Sequence, residues 1–253
     1  MIDVEVRGHT ALITINRPEA RNAVNAAVAS GIEEAIDRVE GDDDIWISVL
    51  AGAGPVFCAG ADLKEIASGN AGGLNTSRGG FAGIVSRERT KPVIAAVDGP
   101  ALAGGTEIVL ACDLVVASRS ARFGVPEVKR SLVAAAGGLF RLAQKLPQNV
   151  ATELVLTGDP IEAERAHHFG LVNVLCDDGS ALDTAMELAG RIEANAPLAV
   201  RESLGVMKES RGADDATGFR LSGEAFARLV NTEDYAEGPR AFIEKRAPEW
   251  KGR

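Results

Sequence analysis

Hydrophobic and polar positions along the chain change rhythm several times, and each change predicts an element. Residues 4–6 and 11–16 are short β-rich runs, and the Arg7-Gly8-His9 step between them is a hairpin signal. Over residues 25–40 the apolar positions Val28, Ile32, Ala35, Ile36 and Val39 fall on one helical face. Compact apolar runs at 45–50, 93–97 and 114–117 predict strands, and helical stretches between them imply βαβ units around a largely parallel sheet. From about residue 137 the pattern turns helical, interrupted by one β-like run at 171–175. Residues 182–192, 199–207, 219–230 and 235–244 each carry helical periodicity. A sheet-bearing core followed by a helical tail is the coarse architecture. Residues 68–80, rich in glycine and other turn formers, are expected to form a mobile loop or a helix of weak intrinsic stability.

Length and composition narrow the class. The 253 residues can bury a sizeable core, and 46% hydrophobic with 25% charged residues is ordinary for a globular protein. No apolar run approaches the roughly 20 residues of a membrane span, and residues 1–6 lack a signal-peptide pattern, so a cytoplasmic location is the default expectation. Three scattered cysteines, Cys58, Cys112 and Cys176, form neither a disulfide framework nor a zinc motif, and they read as small buried residues. His167-His168 falls near a helix end and reads as a capping or packing pair. The net charge of −9 argues against a general nucleic-acid binder, which needs a basic field over the phosphates.

Chemistry concentrates at two junctions where an apolar strand runs through small residues into a helix, at 47–63 and 93–108. Unpaired N–H groups at a helix start carry partial positive charge and can hold an anion or a developing oxyanion. The run from Gly99 to Thr106 has the outline GxxxxGxT, but Gly105 stands where a phosphate-binding loop needs lysine, and no GxGxxG is present there. For a single junction, tight turning is the simpler reading. Two junctions together with two carboxylates are more telling. Glu107 lies three residues after Gly104, and Glu127 follows twenty residues later after Pro126, where the returning chain can bring it back beside Glu107.

The motifs Cys58-Ala59-Gly60-Ala61-Asp62-Leu63, Lys91-Pro92-Val93-Ile94-Ala95-Ala96-Val97-Asp98-Gly99, Gly104-Gly105-Thr106-Glu107, Ala111-Cys112-Asp113-Leu114, Phe123-Gly124-Val125-Pro126-Glu127 and Gly170-Leu171-Val172-Asn173 occur in this order. As a set they resemble the crotonase (enoyl-CoA hydratase/isomerase) family across nearly the whole chain. Asn16-Arg17-Pro18 and the stretch from Glu237 to Arg246 fit as well. The resemblance implies a crotonase-like (ClpP/crotonase) α/β fold, a spiral of ββα units with a C-terminal helical region. It divides the chain into a core, residues 1–198, and a helical oligomerisation region, residues 199–253.

It further implies an acyl-CoA thioester whose carbonyl oxygen is held by the Ala61 and Gly104 N–H groups. Losing one such donor typically costs about 3–4 kcal/mol of transition-state stabilisation. Glu107 would take a proton from water attacking C3, and Glu127 would deliver one to C2. Ala59, Gly60, Asp62, Leu63 and Lys64 would line the substrate, with Phe242 and Lys245 contacting the nucleotide end, commonly from a neighbouring subunit. No metal and no separate cofactor is expected, since coenzyme A is part of the substrate. The expected partner is a further copy of the chain, in homotrimers or hexamers, with no nucleic acid and no membrane. Both glutamates together favour hydration or dehydration, and carnitinyl-CoA dehydratase or isomerase activity, or acyl-CoA binding without turnover, are the alternatives. Two departures stand near the acyl site: Ala103 replaces a frequent glycine, and Leu132-Val133-Ala134-Ala135-Ala136-Gly137-Gly138 replaces the usual proline-containing loop.

Overall fold

The computed structural model describes residues 1–253. The chain opens with a hairpin, β1 (Ile2–Arg7) and β2 (Thr10–Ile15), turned at Gly8, whose φ of +60° suits glycine. Helix α1 (Ala26–Gly41) begins at Asn25, whose side chain accepts the Val28 N–H at 2.9 Å. β3 (Ile47–Gly52) follows, then a short α2 (Leu63–Ala67) and a two-residue ribbon of β4 (Asn75–Thr76) and β5 (Gly80–Phe81). Next come β6 (Val93–Val97), β7 (Pro100–Leu102), α3 (Gly104–Ala111), β8 (Leu114–Ser118) and β9 (Arg122–Gly124). The second half holds α4 (Gly138–Lys145), α5 (Gln148–Thr157), β10 (Ile161–Glu162), α6 (Ala163–His168), β11 (Val174–Cys176) and α7 (Ala181–Glu193). Helices α8 (Pro197–Glu209), α9 (Asp215–Leu229) and α10 (Glu233–Glu244) complete it.

The main sheet has the order β1-β2-β3-β6-β8-β11, parallel throughout except for the opening hairpin. Strands buried on both faces explain the near-continuous apolar runs of the sequence. Ile13, Leu50 and Ala95 join the core that includes Val28, Ile32 and Ile36 of α1 and Ile108 of α3. Their neighbours Leu12, Val49 and Ile94 face the other way, against Ala185 and Ala189 of α7. Fully burying each such aliphatic side chain is worth about 1.5–3 kcal/mol.

A second sheet of three short strands, β10-β9-β7, has no counterpart in the hydrophobic pattern of the sequence. Its strands are two or three residues long, too short to generate a period. This sheet aims the functional loops, because β7 and β9 pair in parallel, Leu102 opposite Gly124. β6 leads through β7 into α3, and β8 leads through β9 into the 3-10 turn at Pro126–Arg130, two units of the expected ββα repeat.

Several expectations need correction. Residues 68–80 form neither a loose loop nor an α-helix. They hold a 3-10 turn (Ala71–Leu74) and the β4–β5 ribbon, tied to α1 where Glu33 accepts the Gly79 N–H at 2.7 Å and the Thr76 hydroxyl at 2.5 Å. The β-like run at 171–175 is strand only from Val174, because the Leu171 N–H bonds to Ala166 O and closes α6. The tail helix expected from residue 219 starts at Asp215, where Asp214 caps it through the Thr217 N–H. The helix expected over residues 199–207 runs from Pro197 to Glu209. His167 does close a helix end, its Nδ1 3.0 Å from Val172 O. No helix is long and apolar enough to cross a membrane.

Candidate active site

A cavity of about 630 Å³ opens between α2, β5, the amino end of α3 and the 3-10 turn at Pro126–Arg130. Ala61, Gly104, Glu107 and Glu127 all line it. The two small-residue junctions meet because the stretch before Ala61 pairs with β7: the Phe57 N–H and Leu102 N–H bond across to Pro100 O and Cys58 O, at 3.1 and 3.0 Å. Gly60 then lies so close to the start of α3 that a Cβ there would come within 2.9 Å of the Gly104 nitrogen, with φ at +92° besides. Only glycine allows this approach.

The main-chain donors follow from that pairing. On one side of the loop the Val24 N–H bonds to Gly60 O and the Asp62 N–H to Val24 O, both at 2.8 Å. Strand alternation turns the intervening Ala61 N–H the other way, and it donates to no group of the chain. Gly104 is the first residue of α3, so its N–H also lacks an intrahelical acceptor. Ala103, the residue before it, is held at φ +53°, ψ −127°. That conformation belongs to glycine, and an alanine there carries strain. It is braced by its own N–H to Gly124 O at 2.8 Å, while the Thr106 hydroxyl reaches Ala101 O at 2.6 Å and Gly124 O at 2.9 Å.

The parallel β7–β9 pair carries the chain from Gly124 through Val125 to Glu127, back beside α3. Glu107 is almost wholly buried, and Glu127 is partly buried with Oε2 enclosed and without a hydrogen-bond partner. Burial raises the Glu107 carboxyl above the usual range, the Gly138 N–H pulls it back, and the charge of Glu127 pushes it up again. Glu127 is raised too, mainly by burial, with Arg130 opposing. The Gly138 N–H donates to Glu107 Oε1 at 3.0 Å from the first turn of α4, so a helix amino end points at this carboxyl.

Of the expected substrate-lining residues, Ala59, Asp62, Leu63 and Lys64 border the cavity, and Gly60 backs it through its contact with Gly104. The Asp62 carboxylate is committed elsewhere: it pairs with Arg17 at 2.6 Å and caps α2 through the Lys64 N–H at 2.9 Å. Phe242, 86% exposed, and Lys245 sit at the end of α10 and do not border the cavity of their own chain. The 132–138 stretch, expected near the acyl site, lies there: Gly138 orients Glu107, and Leu132 and Val133 form the outer wall beside Glu127. Sequence reasoning missed Arg130, which completes that wall, and Phe81, which packs over Gly104. Phe81, the one large apolar residue among the small residues around it, was the readable signal of the two. No three His, Cys, Asp or Glu side chains gather as a metal-binding group.

The enoyl-CoA hydratase/isomerase family model matches residues 5–253. The chain belongs to this family. It is 43% identical to enoyl-CoA hydratase EchA19 of Mycobacterium tuberculosis, over 99% of this chain and 96% of that one. It is 37% identical to carnitinyl-CoA dehydratase of Proteus mirabilis, over 100% and 98% of the two chains. A crystal structure of enoyl-CoA hydratase from M. tuberculosis H37Rv superposes with a TM-score of 0.96 at 49% identity, covering 100% of this chain and 99% of that chain. The fold is therefore that of the crotonase-type hydratases.

Proposed function

We propose that this enzyme adds water reversibly across the 2,3 double bond of a 2-enoyl-CoA thioester, with Glu107 and Glu127 as its acid/base pair. The observation that carries the reading is the convergence of two unsatisfied main-chain donors and two raised carboxyls on one cavity. The thioester oxygen would accept from the Ala61 and Gly104 N–H groups, which stabilise the enolate-like charge formed as C3 is attacked. Water would lose its proton to one glutamate while its oxygen bonds to C3, and the other glutamate would supply the proton that C2 gains.

The hydrogen bonding supports a division of labour. Glu107 accepts a main-chain N–H that favours its carboxylate, suiting it to receive the proton from water. Glu127 has an oxygen with no donor, which favours the protonated form and suits delivery to C2. Each glutamate-to-glutamine variant is expected to lose about 10²–10⁴-fold in kcat on crotonyl-CoA, followed by loss of the conjugated thioester absorbance. Full activity in both folded variants refutes the assignment. Dehydration of a 3-hydroxyacyl-CoA such as carnitinyl-CoA is the second reading, favoured by the full-length similarity to a carnitinyl-CoA dehydratase. A panel of the two substrate types separates them by kcat/KM.

The remaining parts of the reading follow from the family. Coenzyme A enters as part of the substrate and no further cofactor is needed, and the protein works in the cytoplasm. Residues 1–198 form the catalytic core and 199–253 an oligomerisation region, in trimers that can pair into hexamers. The exposed Phe219, Phe226 and Phe242 of the tail support this assembly, and Phe242 and Lys245 would then reach a neighbour's nucleotide end. A stable monomer at micromolar concentration in sedimentation refutes it.

A further inference from the structure

A second cavity, of about 1090 Å³, lies between the tail helices α8 and α9 and the carboxyl ends of α3 and α4. It shares no lining residue with the thioester pocket. Eight arginines and lysines line it against four carboxylates, in a chain whose net charge is −9. Half of these cations are answered by acids. Arg89 and Lys208 meet Asp113 at 3.0 and 2.8 Å, Arg228 meets Glu202 at 2.6 Å, and Arg87 meets Asp37 at 2.7 Å.

The other four form no ion pair. Arg141 donates to Val85 O at 2.6 Å, Lys145 to Cys112 O at 2.9 Å, Arg201 to Ile45 O at 3.5 Å and Arg211 to Gln144 Oε1 at 2.7 Å. Neutral oxygens leave these four without a direct ion pair, three of them half-buried and Arg211 exposed, where partial burial favours a counter-charge. Burial holds the Lys145 ammonium below its ordinary range, with Asp113 opposing and the Arg211 and Arg141 charges adding to the shift. A separate observation agrees. Of the five enclosed side-chain polar atoms in the chain without a partner, three are the Nε atoms of Arg87, Arg89 and Arg201, all on this cavity. These nitrogens are sealed in the wall, so they add to the positive potential of the cavity without themselves meeting a ligand.

We propose that this cavity binds a small polyanion bearing phosphate groups, clasped by Arg141 and Lys145 from the core and by Arg201 and Arg211 from the tail. Guanidinium edges match phosphate oxygens two at a time, and a phosphate group carries enough charge to meet several cations. A single carboxylate would answer only one of them. The anion would bridge core and tail, whose direct ion pair across this cavity is Lys208 with Asp113.

Titration calorimetry of the full chain with inorganic pyrophosphate, at low ionic strength and with coenzyme A saturating the other pocket, tests the site. One pyrophosphate is expected per chain. The Arg201→Gln/Arg211→Gln double variant should bind it at least tenfold more weakly with coenzyme A affinity unchanged. Arg211→Gln alone, on an exposed side chain after α8, provides a milder variant if the double one unfolds. A parallel titration with ADP distinguishes a nucleotide from free pyrophosphate as the natural source of the phosphates, and tighter binding of either supports the proposal. Absence of binding, whether the cavity stays open or a second copy covers it, overturns the proposal, as does equal affinity in wild type and variants.

Discussion

Replacing Gly138 by alanine tests how the Glu107 carboxyl is held. The new Cβ would stand 2.7 Å from Ala134 Cβ and 3.2 Å from both Val125 Cγ1 and Glu107 Oε1. Carbon atoms settle at about 3.5–4.0 Å, so the first turn of α4 must retreat by roughly 0.8 Å. The 3.0 Å bond from the Gly138 N–H to Glu107 then passes out of hydrogen-bond range. A bond to a charged group is worth about 1.5–3 kcal/mol, and a displacement on the order of 1 Å at a reacting group costs roughly 10²-fold in rate. Overpacking itself costs about 1–3 kcal/mol of stability, small enough for the variant to fold. Gly138→Ala should therefore lose about 10–100-fold in kcat on crotonyl-CoA with a smaller change in KM. Losing the donor raises the Glu107 carboxyl further, so the acid limb of the kcat profile moves to higher pH. A folded variant with wild-type kcat and an unmoved acid limb would show that α4 does not position the base.

Three further outcomes follow. Ala103→Gly should raise stability by about 1 kcal/mol, because strain of about 1–3 kcal/mol at φ +53° outweighs the roughly 0.5–1 kcal/mol entropy cost of glycine; a lower urea midpoint contradicts this. A carboxyl raised by burial favours folding while protonated and loses that advantage as pH rises through its folded pKa. Glu107→Gln should thus melt above wild type at pH 8, with the difference closing toward pH 4, whereas a pH-independent difference argues against a desolvated charge. Burial pushes the Cys58 and Cys112 thiols up to about 12 and about 11, so iodoacetamide at pH 8 should leave both unmodified in the native protein, and mass spectrometry that finds either labelled refutes this.

The parts legible in the sequence were those with a period or a motif. The apolar face of α1 and the unbroken apolar runs of β3 and β6 made the main sheet legible, since both faces of that sheet are buried. The glutamates and the small residues before Ala61 and Gly104 were legible as a family pattern. Other motif residues turn out to hold the scaffold: Asp113 gathers Arg89, Lys208 and the Val93 N–H, and the buried Lys91 reaches Val39 O and Asp42 O at the end of α1. What could not be read were contacts without local signature. β7, β9 and β10 are too short for periodicity, and the bond to the Glu107 carboxylate comes from a main-chain N–H 31 residues away, a donor that carries no side-chain signature. The conformation of Ala103 was hidden as well, because alanine advertises no positive φ.

Helix α3 carries the Gly104 donor on its first residue and the Glu107 carboxyl less than one turn later, in a helix buried from Gly104 through Leu110. Neither group can be repositioned without dragging the other, so the reacting end of any substrate meets an unadjustable frame. Evolutionary tinkering with what the enzyme accepts is therefore left to the opposite rim, where Leu63, Arg130, Leu132 and Val133 are solvent-accessible and can be swapped with little disturbance. One scaffold can in this way diversify its clientele while its chemistry stays put.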